Sequence, residues 1–115
     1  MDYYTSYTLD VKGVNPEDMS ALYAALSGAA LIGYVFNEAP WVDSHGVIEY
    51  YSDDATKWYD HDDDIKRISA LFPNAVFKLH GEGDDCGDIW DTYYYNGVME
   101  YCPYVSTAPK LIKWE

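Results

Sequence analysis

Acidic side chains crowd the stretch from Ser52 to Asp91, and this crowding constrains what the chain can fold into. The stretch holds eleven of the twenty carboxylates and few cations: the acids are Asp53, Asp54, Asp60, Asp62, Asp63, Asp64, Glu82, Asp84, Asp85, Asp88 and Asp91, and the cations are Lys57, Lys66, Arg67 and Lys78. Charged groups are almost never fully buried unless they are paired. We therefore expect these acids on the outside of the fold, in two groups that folding can bring onto one surface.

The composition predicts one folded domain, spanning residues 1–115, with a strongly acidic exterior. The chain has 115 residues, 49% of them apolar, and a formal net charge of −13. This length suffices for a single core, and the apolar content is too high for a disordered acidic tail. An acidic exterior repels nucleic acid and anionic membranes and attracts basic protein surfaces. The expected partners are therefore basic proteins, with no nucleic acid and no membrane among them.

The sequence predicts a cytoplasmic location. No cationic leader precedes an apolar segment at the N-terminus, so we expect no secretion. Residues Met19 to Phe36 carry no charge, but their serines, glycines and alanines make them a poor membrane span. Cys86 and Cys102 are predicted to stay unpaired, because the hairpin described below leaves them far out of register. Free thiols fit a reducing cytosol.

The first fifty residues predict a strand, a helix and two further strands. Tyr3 to Lys12 alternates as a strand with one buried face does. Asn15 and Pro16 are suited to the N-cap and the first position of a helix. This helix should end at Gly28, with an apolar stripe at Met19, Leu22, Tyr23 and Leu26.

A second strand is predicted over Leu31 to Phe36 and a third over Val47 to Tyr51, which pair if the loop from Asn37 to Gly46 closes a hairpin. Trp41 lies in that loop, where it is expected either to fold back over the core or to face a partner.

The acidic stretch itself predicts a second helix. Ser52 or Asp53 can cap it, Pro73 ends it, and its inward stripe would be Trp58, Ile65, Ile68 and Phe72, with Leu71 beside it. Asp60 and Asp64 lie one turn apart on the exposed side, where like charges repel.

The C-terminal third predicts a fourth strand and a tight hairpin. Ala75, Phe77 and Leu79 form the inward face of the strand, and the loop from Gly81 to Asp88 follows it. Asn96-Gly97 tolerates the positive φ angles of a type I′ turn, so that Tyr95 faces Val98, Trp90 faces Pro103 and Asp91 faces Cys102. Because proline cannot donate a ladder hydrogen bond, Pro103 predicts that the last strand lies at an edge or ends there.

The order of elements predicts an α+β fold. Strand, helix, strand, strand, helix, strand is the βαββαβ order of a ferredoxin-like sandwich, here with a C-terminal β-hairpin that extends the antiparallel sheet. A less regular α+β domain is the alternative.

Metal binding and catalysis are both disfavoured by the spacing. Asp60-x-Asp62-x-Asp64 begins like a calcium loop, but Ile65 and Leu71 stand where such a loop needs Gly and Glu. The next acidic loop has its glycine but lacks the final Glu, so that only weak calcium binding stays open there, through Glu82, Asp84, Asp85 and Asp88. The histidines and cysteines have no paired zinc spacing. We expect no metal, no cofactor and no enzymatic activity.

Five short motifs resemble small phage-borne and plasmid-borne proteins of unassigned function: Trp58-Tyr59-Asp60-His61, Leu71-Phe72-Pro73, Gly81-Glu82-Gly83, Gly87-Asp88-Ile89-Trp90 and Tyr94-Tyr95-Asn96-Gly97. The likeness covers Trp58 to Pro103. The hairpin of that group carries lysines, whereas this chain has Asp91 and Val98. As a small acidic domain, the chain also resembles phage anti-CRISPR proteins, some of which are acidic ferredoxin-like domains that occupy nucleic-acid channels.

This resemblance implies an inhibitor that mimics nucleic acid and blocks the DNA-binding site of a host defence effector, possibly a subunit of a CRISPR effector. The expected partner-binding residues are Asp60, Asp62, Asp63, Asp64, Glu82, Asp84, Asp85, Asp88 and Asp91. The alternative is an immunity or antitoxin protein that blocks a basic nuclease, which needs the same charge and a more specific aromatic anchor. The 13 tyrosines and four tryptophans either pack the sheet or supply such contacts. A monomer or weak homodimer is expected.

Overall fold

The computed structural model describes residues 5–28, 41–42, 47–51, 60–83, 88–103 and 109–114, which form an α+β fold. Within these ranges the strands are β1 (Thr5–Lys12), β2 (Trp41–Val42), β3 (Ile48–Tyr51), β4 (Val76–Gly83), β5 (Ile89–Tyr95) and β6 (Val98–Cys102). The α-helices are α1 (Met19–Gly28), which follows a 3₁₀ turn at Pro16–Asp18, and α2 (His61–Leu71).

The strands make one antiparallel sheet in the order β2-β3-β1-β4-β5-β6. β1 lies inside the sheet, between β3 and β4. The order of the first four strands is compatible with the predicted ferredoxin-like arrangement, and the β5–β6 hairpin extends the sheet beyond β4. β6 is the last strand of the order among the described residues and ends at Cys102, directly before Pro103, in agreement with the prediction from that proline.

The core lies between the helices and one face of the sheet. β1 and β4 bring alternate residues to this face, in the pairs Leu9–Leu79 and Val11–Phe77. Both helices contribute to the same core cluster, through Leu22, Leu26, Ile65 and Ile68. The alternation of β1 and β4 and the inward positions of these four residues are thereby confirmed.

One residue of the predicted helical stripes, Tyr23, lies elsewhere. Tyr23 is 51% exposed, because it follows Leu22 by one residue and a rotation of about 100° carries it off the buried stripe. Phe72 packs against the core but is only partly buried. The described part of α1 extends to Gly28, where the sequence predicts its end, and the predicted end of α2 before Pro73 is confirmed.

The β5–β6 hairpin is built as its turn sequence predicts. Asn96 and Gly97 have φ angles of 48° and 82°, and the register pairs Tyr95 with Val98 and Asp91 with Cys102. The Gly97 amide also donates to Ser69 Oγ on α2 at 2.9 Å, so the turn is attached to the helix that covers it.

Three boundaries differ from the sequence expectation. Trp41 and Val42, expected in a loop, form a strand that pairs with Glu49 and Ile48. Gly81 to Gly83, also expected in a loop, continue β4, because β1 is long enough to pair with them through Thr5, Ser6 and Tyr7. The third difference is the start of α2, which is described from His61. Several predictions fall outside the described residues: the caps Ser52 and Asp53, the inward position of Trp58, and the strand Leu31–Phe36.

Residues 109–114 cover part of the opposite face of the sheet. No pattern in the sequence indicated this contact. The Glu100 carboxylate accepts hydrogen bonds from the backbone amides of Lys110, Leu111 and Ile112 at 2.6, 2.8 and 3.0 Å. Ile112 is buried in a second cluster with Tyr93 and Cys102, against which Val76 and Trp114 pack. Both faces of the C-terminal hairpin are therefore partly covered. Cys102 is a buried free thiol, and Cys86 lies outside the described residues.

Candidate partner-binding surface

The first turn of α2 presents two uncompensated acids. Asp60 directly precedes the helix and Asp63 lies within its first turn, and both are exposed. Within the described ranges no cation pairs with either of them. Acids at this position are favoured by the partial positive charge of a helix N-terminus. The same position leaves their negative charge open to a partner.

Asp62 and Asp64, which were predicted to bind a partner, already have intramolecular contacts. Asp64 Oδ1 accepts from the Arg67 guanidinium at 3.2 Å. Asp62 Oδ1 lies 3.0 Å from His61 Nδ1 and accepts a 2.6 Å hydrogen bond from the hydroxyl of Tyr94 on β5. The acids of this turn thus divide into an outer pair, Asp60 and Asp63, and an inner pair.

The contacts of Asp62 with its neighbours together change its pKa more than its partial burial does. Burial on its own would raise the pKa of this carboxyl, but the hydrogen bonds from His61 and Tyr94 lower the pKa below its ordinary value of 3.8. Conversely, burial and the adjacent Asp62 carboxylate raise the pKa of Tyr94 far above its usual range. Asp62 therefore stays ionised and Tyr94 stays a donor at neutral pH.

An aromatic cluster lies beneath the acidic turn. The His61 ring stacks on Trp90 with 5.0 Å between centroids and 23° between planes, and Tyr7 packs edge-on against Trp90 at 6.2 Å. Tyr101, on β6, lies 6.3 Å from Trp90 and is 55% exposed. Trp90 can lie flat here because its partner on β4 is Gly81, and a Cβ at that position would overlap the indole.

The second acidic group is divided by the sheet. The Glu82 side chain is 58% exposed, and Asp88 is half-buried. Asp91 is only 1% exposed, so its carboxylate does not lie at the surface. Its Oδ1 accepts a 2.7 Å hydrogen bond from His80 Nδ1 instead. Asp91 is therefore buried in this structure, and its predicted contact with a partner stays a prediction. Asp84 and Asp85 lie outside the described residues.

The outer acids form a rim at one end of the sheet, on two sides of it. Trp90 contacts His61 at the start of α2 and pairs across the ladder with Gly81, whose neighbour is Glu82. Successive residues of a strand point to opposite faces, so Glu82 lies on the face away from α2. We call Asp60, Asp63 and Glu82 the acidic rim. The predicted single surface is thus two-sided among the described residues.

Cations lie at the other end of the sheet. Lys12 Nζ is 4.2 Å from the centre of the Trp114 ring, and Lys78 Nζ is 5.9 Å from it. Lys12 pairs with Val76 at the start of β4, whereas Glu82 lies near its end. At about 3.3 Å per residue, roughly 20 Å of β4 separates the position of Glu82 from the residue that pairs with Lys12. Along this face of the sheet, Glu82 and these lysines therefore lie apart.

Sequence reasoning missed the His80–Asp91 pair. The two residues face each other in the β4–β5 register, and they could have been paired once Gly81 to Gly83 were assigned to the strand. Within the described ranges, no group of three or more His, Cys, Asp or Glu residues is placed to hold a metal ion. The described helices include none that is long and apolar enough to cross a membrane.

Comparisons with known proteins found no matching family model, no matching curated protein and no matching solved structure. The role of the acidic rim is therefore inferred from its own geometry and charge.

Proposed function

We propose that this protein is an inhibitor that binds the nucleic-acid site of a basic protein through the acidic rim. The observation that supports this proposal is the pair Asp60 and Asp63, which are exposed and have no cation partner among the described residues. Asp62 and Asp64, in the same turn, have their own intramolecular contacts. The outer pair adds repulsion between like charges, which the helix N-terminus offsets in part and no side-chain cation among the described residues does. Binding to a basic surface offers a reason for its presence.

The spacing of the acids suits mimicry of phosphates. Carboxylates one helical turn apart lie about 5–6 Å from each other, and duplex DNA presents one charge per about 1.7 Å of axis over its two strands. An acidic turn on one side of a sheet end and Glu82 on the other can approximate two lines of charge. A channel lined by Lys and Arg would accept such an arrangement. The resemblance to anti-CRISPR proteins suggests a CRISPR effector subunit as the basic partner.

A ferredoxin-like sandwich with a C-terminal hairpin is the architecture that we assign to the chain. The order β4-β1-β3-β2 supports this assignment, as does the shared core of α1 and α2. In this arrangement β5 supports the first turn of α2 through Tyr94 and Trp90. The hairpin extension would then serve to hold the acidic turn rigid.

An immunity or antitoxin protein that blocks a basic nuclease is the second candidate. It is favoured by Tyr101, a large exposed ring that rests on Trp90 beside the acidic turn. Exposed aromatics of this kind are frequent anchors of specific interfaces. The two candidates share the acidic rim and differ in whether Tyr101 or charge dominates the affinity.

Affinity capture from bacterial lysates tests the proposal and separates the candidates. The wild-type protein and the double variant Asp60→Asn/Asp63→Asn are immobilised, and bound proteins are eluted with duplex DNA. If the protein mimics nucleic acid, the immobilised wild type should retain a nucleic-acid-binding effector that DNA releases. The immobilised double variant should retain less of it. Retention of one small nuclease that depends on Tyr101 would support the second candidate. Equal retention of the same proteins by both baits would refute the mimic, and equal retention by the wild type and a Tyr101→Ala bait would refute the second candidate.

A further inference from the structure

His80 and Glu82 form a pair of potential ligands on the face of the sheet away from the helices. They are two residues apart on β4, so their side chains point to the same face. His80 Nε2 lies 3.7 Å from Glu82 Oε1, and both side chains reach solvent, at 25% and 58% exposure. The free nitrogen of the imidazole and a carboxylate oxygen therefore lie together at an accessible position.

Asp91 fixes the orientation of His80. Its Oδ1 lies 2.7 Å from His80 Nδ1, which favours the tautomer with the proton on Nδ1 and leaves the lone pair of Nε2 directed toward Glu82. Histidines that bind metals nearly always donate their other ring nitrogen to such a group. Asp91 is 1% exposed, and its Oδ2 has no hydrogen-bond partner. The orienting carboxylate is therefore fully buried and only half satisfied.

We propose that His80 Nε2 and Glu82 bind a divalent transition-metal cation of the zinc class, with Asp91 as the positioning residue and water completing the coordination. Zinc lies about 2.0–2.2 Å from imidazole nitrogen and carboxylate oxygen. A tetrahedral angle at that distance places two ligands about 3.3 Å apart. The observed 3.7 Å needs only a small movement of the exposed Glu82 side chain.

The unsatisfied oxygen of Asp91 gives a physical reason for a ligand at this site. A buried polar oxygen without a hydrogen bond is costly, and Asp91 Oδ2 has no such partner among the described residues. A cation on Nε2 would polarise the imidazole and strengthen its hydrogen bond to Asp91 Oδ1. Direct contact of His80 with the two carboxylates, without a cation, is the competing explanation.

This proposal departs from the sequence expectation of no metal, which was based on calcium loops and paired zinc signatures. The His-x-Glu spacing belongs to neither pattern and becomes informative only when the residues are known to lie on a strand. The nitrogen ligand predicts selectivity, because imidazole suits zinc, cobalt and nickel, whereas magnesium prefers oxygen. The site shares Glu82 with the acidic rim but uses neither Asp60 nor Asp63, and metal binding is measured on the protein without a partner.

The test is calorimetric titration of the metal-free, full-length protein with zinc, and with magnesium for comparison, joined to absorption spectroscopy with cobalt. We expect one zinc ion per chain, a cobalt spectrum with nitrogen ligation and no magnesium binding. Asp91→Asn keeps the side-chain shape and should weaken zinc binding by about 10- to 100-fold. Glu82→Gln changes an exposed side chain, so that it leaves the fold intact, and should weaken binding at least as much.

His61→Gln is the matched control, because His61 also has its Nδ1 beside a carboxylate, at 3.0 Å from Asp62, but stacks its ring on Trp90. Its removal should leave zinc affinity unchanged. The proposal is overturned if zinc does not bind, or if Glu82→Gln and Asp91→Asn bind zinc as tightly as the parent. The same conclusion follows if His61→Gln abolishes binding. The first result would leave the direct contact with His80 as the account of Asp91.

Discussion

Asp62 attaches the acidic turn of α2 to the sheet, although it was predicted only as a surface charge. Its carboxylate accepts the Tyr94 hydroxyl hydrogen bond at 2.6 Å, from a tyrosine whose ring is fully buried. The sequence could place Tyr94 in a strand and Asp62 in a helix, but no local pattern links two residues so distant in the chain. Burial of one partner and ionisation of the other become visible only in the fold.

We predict that Tyr94→Phe destabilises the protein by about 1 kcal/mol at neutral pH. Hydrogen bonds to charged groups contribute about 1.5–3 kcal/mol, and the partial exposure of Asp62 lets water replace part of this one. Because its pKa is lowered in the fold, Asp62 contributes stability above its ordinary pKa of 3.8, and this stability is lost as pH falls through the lowered pKa.

Urea denaturation of the parent, Tyr94→Phe and the exposed control Tyr95→Phe checks this prediction. The difference between parent and Tyr94→Phe should be full at pH 7 and should shrink below pH 3.8. The control should match the parent at every pH. A difference that is constant with pH would show that the hydroxyl acts through packing and not through the ionised Asp62.

Gly81 has a packing role that its place in the sequence Gly81-Glu82-Gly83 did not indicate. It was expected to serve a turn, but it lies in β4 under the Trp90 indole. We predict that Gly81→Ala displaces the ring from His61 and costs about 1–3 kcal/mol, as overpacking of a core does. Near-ultraviolet circular dichroism should report the lost stacking. An unchanged spectrum and unchanged stability would contradict the arrangement of Trp90 described here.

Among the strands, helices and turns, sequence patterns predicted those whose conformation depends only on residues close together in the chain. The alternation of β1 and the Asn96-Gly97 turn require only local chemistry, and both are confirmed. The covering of the opposite face by residues 109–114 depends on Glu100, a strand residue whose partners are backbone amides. Backbone amides carry no sequence signature, so this contact could not be predicted. The burial of Asp91 escaped prediction for a related reason, since its partner His80 lies on the neighbouring strand.

We predict that Glu100→Gln loosens the C-terminal segment. Hydrogen bonds from the Lys110 and Ile112 amides lower the pKa of Glu100 below its ordinary value of 4.5. The ionised form thus holds the segment above that pH, and the attachment weakens as pH falls through the lowered pKa. Hydrogen exchange at residues 110–112 should be faster in the variant at pH 7. Glu17→Gln, an exposed acid elsewhere, is the control and should leave these amides protected. Equal protection in all three proteins would refute the role of Glu100.

On the scale of the whole molecule, charge is distributed unevenly over the folded surface. The net charge of −13 was evident from composition, but composition could not show which acids are paired, buried or free. Of the predicted partner-binding residues, Asp91 is buried, Asp62 and Asp64 have intramolecular partners, and Asp60, Asp63 and Glu82 are exposed. The contacts of Tyr94 with Asp62 and of His80 with Asp91 are tertiary, and spacing alone does not encode them, whereas the contact of Arg67 with Asp64 is a local i,i+3 pair of the helix.

The stability of the fold and the strength of binding should therefore respond differently to the removal of charge. Neutralising Asp60 and Asp63 removes repulsion within the acidic turn and also removes a favourable interaction with the helix dipole. These terms are each a few tenths of a kcal/mol and oppose one another. We predict that the free energy of unfolding of Asp60→Asn/Asp63→Asn stays within about 0.5 kcal/mol of the parent, as denaturant titration will show.

The most direct test of the acidic rim compares two double variants that lose the same charge. Asp60→Asn/Asp63→Asn alters the rim, whereas Glu17→Gln/Asp18→Asn alters the 3₁₀ turn beside the far end of α2, where Asp18 and Leu71 line one groove. The length of the helix separates the two sites by about 16 Å. The measurement is the affinity of each variant for the captured partner, at low salt and at about 0.15 M salt, where exposed charges are screened over about 8 Å. If the acidic rim binds the partner, the affinity of Asp60→Asn/Asp63→Asn should fall by about tenfold and depend less on salt, whereas the other variant should match the parent. Equal affinities for the two variants, at both salt concentrations, would contradict it.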